Sequence, residues 1–153
     1  MIQRIQSVWL ALAACVLFST LFIPYAQFLY EDQTTLFSMF GLEENPKEVS
    51  TWFPYLYVTA FIGALCIFSI LQFKNRKLQM NIGKILYVLI LVLTGFIFYD
   101  VYTLGPKLTD DEAWKMAAGF GMYMPIISLI LVFLANTKIK KDDNLVKSVD
   151  RLR

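Results

Sequence analysis

The chain has 153 residues, 58% of them hydrophobic and 17% charged, with a net charge of +2 and no histidine. A soluble domain of this size cannot bury so much apolar surface without exposing large patches, and the charge is too small for a nucleic-acid binder. The missing histidine removes the commonest general base, metal ligand and haem ligand, so a catalytic or cofactor-bearing site has few residues to draw on.

Charges are segregated along the chain. Uncharged runs of 26 residues (between Arg4 and Glu31), 25 (Glu48 to Lys74) and 22 (Lys115 to Lys138) stand out, and a fourth run of 22 between Lys84 and Lys107 is broken only by Asp100. A helix needs roughly 20 apolar residues to cross a bilayer. The pattern predicts an all-α integral membrane four-helix bundle in a single domain. Its spans are 8–28, 51–73, 82–104 and 116–137, with outer loops 29–50 and 105–115 and a tail at 138–153.

The first span opens on a basic residue and carries Leu12-Ala13-Ala14-Cys15, which resembles a lipoprotein cleavage box. The apolar run continues past Cys15 to Ile23, so a permanent anchor is expected. Cys15 and Cys66 are placed at similar depth in adjacent helices, as small core residues. In outer loop one, Leu36–Leu42 is too short to span. It lies on the membrane surface, pairs as a small hairpin, or docks a partner.

Orientation follows from Lys and Arg. The N-terminal flank, the 74–84 loop and the tail hold 11 of 14 basic residues, whereas the outer loops with Asp100 hold nine of twelve acids. By the positive-inside rule both termini are cytoplasmic and the two acidic loops face outward. Tyr25, Phe28, Tyr30, Trp52, Phe53, Tyr55, Tyr57, Phe98, Tyr99, Tyr102 and Trp114 fall near the outer span ends, as an interfacial belt does, with Trp9 at the inner face.

Asp100 is the one candidate intramembrane polar site, an ion or proton group, a partner for Lys107 or Lys115, or simply a hydrated carboxylate near the outer end. Thr109-Asp110-Asp111-Glu112 fits a helix capping box better than a metal site, so the fourth helix is expected to start near Thr109. Pro125 should bend it near Gly121. Small residues Ala60, Gly63, Ala64, Ala117, Ala118 and Gly121 mark close helix packing. In the tail, Leu145, Val146, Val149 and Leu152 form one stripe of a short amphipathic helix.

The two ends, Met1–Gln6 and Ile139–Arg153, resemble a Bacteroidota family of four-helix inner-membrane proteins known only as domain-of-unknown-function family 4293. The resemblance implies an inner-membrane location and no assigned activity, and it brings no catalytic, cofactor or metal residues. Together these readings lead to a non-enzymatic membrane protein, a subunit or assembly partner of a larger complex. Its partners are the lipid bilayer and another inner-membrane protein or itself. Arg4, Leu145, Val149, Asp150, Arg151, Leu152 and Arg153 are the candidate docking residues. A small transporter or lipid-binding bundle with Asp100 at its outer mouth is the alternative.

Overall fold

A computed structural model describes residues 3–30, 33–43, 49–73, 75–108 and 114–150. In chain order the elements are α1 (Gln3–Ser19), β1 (Ala26–Tyr30), β2 (Gln33–Ser38), β3 (Gly41–Glu43), α2 (Tyr55–Leu71), α3 (Arg76–Leu108), β4 (Lys115–Ala118), a 3-10 turn at Phe120–Tyr123, and α4 (Met124–Asp150).

Each helix buries one stripe. On α3, Ile82, Leu86, Ile90, Leu93, Ile97, Val101 and Leu104 recur every three or four residues and are all buried, which is the 3.6-residue period of one helix face. Their counterparts are Leu10, Ala13 and Leu17 on α1, Ile62 and Cys66 on α2, and Val132, Ala135 and Ile139 on α4. The helices stand side by side, α4 packing on α1 and α3, and α2 on α1 and α3. Close approach is achieved with glycine: the Phe18 ring lies against Gly63, and the Asn136 amide against Gly83.

At one end of the helices sits a four-stranded antiparallel sheet of order β3-β2-β1-β4. Alternation places Ala26 and Phe28 of β1 with Thr35 and Phe37 of β2 on the buried face, in register as Ala26↔Phe37 and Phe28↔Thr35. Gly41, with φ of 110°, makes the tight turn from β2 to β3, a conformation that costs other residues more. Leu36–Leu42 therefore pairs as a hairpin, one of its three expected fates.

The sheet corrects the all-α expectation. Residues 26–28 leave the first predicted span for β1, and 116–118 leave the fourth for β4, because each gains a ladder of backbone hydrogen bonds there. Among the described residues two helices are long and apolar enough to cross a membrane, Arg76–Leu108 and Phe120–Leu145; α1 and α2 are apolar but only 17 residues each. Thus the structure is a mixed α and β fold, not an all-α bundle with four full spans. Its α4 begins at Met124, not near Thr109, and the capping-box residues 109–112 lie outside the described residues. Pro125 falls in the first turn of α4, where its missing N–H is tolerated, so it starts the helix and does not bend it. Ala117 and Ala118 belong to a strand and are not helix-packing residues.

Candidate functional site

Beneath the sheet, polar and aromatic side chains from both halves of the chain converge. Pro54 precedes α2 and fixes its start, so Tyr55 points from the first turn toward α3. Its hydroxyl lies 2.6 Å from the Asp100 Oδ2 and 3.0 Å from the Phe96 carbonyl oxygen. One hydroxyl hydrogen serves two acceptors, and the shorter, charge-assisted bond to the carboxylate is the stronger. Tyr55 is 2% exposed, and its ring meets Tyr25 (centroids 5.7 Å apart), Phe37 (5.4 Å) and Phe53 (5.0 Å). Phe53 in turn stacks on Phe96 at 4.2 Å. Edge-to-face and stacked geometries of this kind add to plain burial.

Tyr25, wholly buried between α1 and β1, brings its hydroxyl beside Thr20 and Thr59 without a well-formed hydrogen bond among the described residues. Burial pushes its phenol up to about 12, because the phenolate would be cut off from water. Alongside Tyr55 a cleft of about 260 Å³ opens outward, lined by the β2–β3 turn (Met39, Phe40), Thr51, Trp52 and the first turn of α2 through Tyr57.

The opposite end of the helices is tied by a second polar layer. Gln6 on α1 donates from Nε2 to the Asp142 carboxylate of α4, and the Arg76 guanidinium donates to the Asp142 carbonyl oxygen at 3.0 Å. Gln79 donates to the Ser69 carbonyl at 3.1 Å, satisfying a terminal acceptor of α2. Gln6, Ser69, Gln79 and Asp142 are all buried, one from each helix.

Asp100, singled out in the sequence, is thus at the centre of the first cluster, as the partner of Tyr55. Leu145 is half exposed on the extension of α4. The side chains of Arg4, Val149 and Asp150, and residues Arg151, Leu152 and Arg153, lie outside what the structure describes. The belt reading divides. Tyr25, Phe28 and Tyr55 are core residues, and Trp114 is wedged against Gly105 and Phe28, whereas Trp52, Tyr57, Tyr99 and Tyr102 face outward. Cys66 is the buried core residue expected, whereas Cys15 is exposed and is not a core residue. Sequence reading took Tyr55 for a belt aromatic and gave Gln6, Gln79 and Asp142 no role of their own. The available signal was polar or aromatic residues at the ends of otherwise uncharged spans, where a polar atom needs a partner.

No curated protein and no solved structure matches the chain. A family model, by contrast, matches residues 2–152, and the chain belongs to the family described as Domain of unknown function (DUF4293).

Proposed function

We propose that this is an integral protein of a bacterial inner membrane that acts without catalysis, as a small subunit or assembly partner of a larger membrane complex. The observation that carries the reading is what the carboxyl-bearing residues Asp100 and Asp142 do. Asp100 ties α3 to α2 through Tyr55, and Asp142 ties α4 to α1 through Gln6, with Arg76 of α3 on the Asp142 carbonyl oxygen. Groups engaged in cross-linking helices serve to hold a shape, and holding a shape is what a subunit or scaffold must do. Membrane embedding is supported by the two long apolar helices and by large apolar side chains exposed on all four, such as Val8, Phe61, Val88 and Ile130. The basic bias of the non-sheet end supports an N-in, C-in orientation with the sheet outside.

Tagged purification from native membranes in mild detergent, followed by mass spectrometry, tests the proposal. A stoichiometric membrane partner is expected, lost when Asp150, Arg151 and Arg153 are changed to alanine. Recovery of the protein alone, unchanged by those substitutions, refutes it. The cleft beside Tyr55 favours a second reading, a lipid- or small-molecule-binding protein. Retention of a lipid that is released by Trp52→Ala would favour that reading over the first.

A further inference from the structure

We infer that the seam between α3 and α4, at the basic end of the helices, is a binding site for an anionic phospholipid whose phosphodiester is held by Lys84 and Lys140. The inference rests on the membrane reading above and adds the lipid class that this surface takes. Three contacts fix how the two helices lie against each other there. The Arg76 guanidinium donates to the Asp142 carbonyl oxygen, the Asn136 amide lies against Gly83, and the Tyr87 ring meets Phe133 edge-on at 6.3 Å. Lys84 precedes Tyr87 by three residues and Lys140 follows Asn136 by four, so each is the neighbour, on its own helix, of a residue that makes the seam. Both lysines are exposed. Side chains on a helix lean toward its start. Because α3 and α4 run in opposite directions, Lys84 leans toward the level of Lys140 and Lys140 toward that of Lys84.

The chemistry of the seam is one-sided. Lys77, Lys84, Lys138, Lys140 and Lys141, all exposed, stand on α3 and α4, whereas α1 and α2 carry no lysine. No hydrogen bond or ion pair engages these five among the described residues, and the Asp142 carboxyl group turns away to Gln6 of α1. Toward the sheet the same seam becomes apolar at its surface, with Leu91 of α3 and Ile130 and Phe133 of α4 exposed. Ammonium groups at one end of an apolar strip match an amphiphile with an anionic head and acyl chains, and basic recesses between membrane helices on the cytoplasmic side hold such headgroups. Lysine suits this role, because its compact point charge attracts a phosphate without demanding a fixed fork geometry.

The experiment titrates the purified full chain in mild detergent with dioleoylphosphatidylglycerol, dioleoylphosphatidylcholine or glycerol phosphate, and follows binding by native mass spectrometry. A lysine near a headgroup is worth roughly fivefold in affinity, so the expected preference for phosphatidylglycerol over phosphatidylcholine is roughly thirtyfold. Lys84→Gln combined with Lys140→Gln should abolish that preference. Lys138→Gln combined with Lys141→Gln removes the same charge from positions two and five residues past Asn136, on the other side of α4, and should leave the preference within about threefold of the wild type. Equal affinity of the wild type for the two lipids overturns the inference, as does an equal loss in both double variants, which is the mark of a diffuse attraction to the whole basic end. Glycerol phosphate binding as tightly as phosphatidylglycerol overturns it in favour of a free phosphate site. Flotation with phosphatidylcholine vesicles through an alkaline wash scores the membrane reading separately. A protein stripped there overturns that reading, whereas an embedded protein with no lipid preference overturns the inference alone.

Discussion

Adding one methyl group at Gly121 should cost far more than at any exposed glycine. Gly121 is the second residue of the 3-10 turn before α4, and its amide donates to the Pro24 carbonyl at 3.2 Å, while Gly119 donates to the Tyr25 carbonyl at 2.9 Å. A Cβ on Gly121 would stand 2.5 Å from the Ile23 oxygen and 2.6 Å from the Pro24 oxygen, both below the 3.0 Å that real Cβ atoms respect. Both oxygens belong to backbone leading into the central strand β1, which is paired on both sides and cannot retreat. Relief requires breaking the two crossing hydrogen bonds, about 1 kcal/mol each, on top of overpacking of about 1–3 kcal/mol. A loss of about 3 kcal/mol in a chain of this length lowers the unfolding midpoint by roughly 10 °C. Gly95→Ala is the matched control. It lies inside α3 with no heavy atom within 4 Å of the new Cβ, so helix propensity should raise stability by about 0.5–1 kcal/mol, or roughly 2–3 °C. Near-UV circular dichroism of both variants in mild detergent, at one scan rate, reads the two signs. If Gly121→Ala melts within 2 °C or so of the wild type, the tight crossing of the 23–24 and 119–121 segments is not what holds the sheet to the helices.

Tyr55→Phe should destabilise by about 1–3 kcal/mol, because it strips the Asp100 carboxylate of its donor, while Asp100→Asn, which keeps an acceptor for the hydroxyl, should cost less. A Tyr55→Phe variant, which keeps the ring, with no loss in thermal melts would show that ring packing, not the hydrogen bond, matters there. Tyr25 gives an alkaline signature. Its phenol sits near 12 when folded against an ordinary 10, so the folded state resists its ionisation. Stability attributable to Tyr25 is therefore intact below about pH 10 and lost as pH rises from there through 12. Tyr25→Phe should flatten that decline by about 2 kcal/mol in melts taken across the interval, and an unchanged slope would exclude Tyr25 as its source.

The helices were legible in the sequence because charge avoidance over 22 to 26 residues has one dominant cause, a long apolar surface. Their ends were not. Ala26-Gln27-Phe28-Leu29-Tyr30 continues the apolar run of α1 without a break, so nothing in composition announces a strand. Lys115-Met116-Ala117-Ala118 is built from good helix formers and follows a helix-capping pattern. Only pairing with β1, formed by residues some ninety positions earlier, makes it a strand. Gln33–Ser38 was more readable, since Thr34, Thr35 and Phe37 suit a strand and Gly41 suits the turn, and the hairpin was among the expected outcomes. For the candidate site, Asp100 was found because a carboxylate inside an apolar run is conspicuous. Its partner was not, because Tyr55 looks like any interfacial aromatic until the fold buries it. Gln6 and Asp142 pair across 136 positions, a distance over which no local pattern can speak.

The strand order has a consequence for how the protein is made. Because β1 lies between β2 and β4, one of its edges finds its neighbour immediately, in the next strand of the hairpin, whereas the other waits until α2 and α3 have been synthesised and β4 emerges behind them. Through that interval the nascent chain presents an unpaired edge of β1. The last strand thus acts as a completion signal. A product truncated before Lys115 carries α1, α2 and α3 but leaves β1, the strand that supplies the buried Ala26 and Phe28, unpaired along one side. The sheet begun by the N-terminal strands is therefore completed only when the segment after α3 arrives.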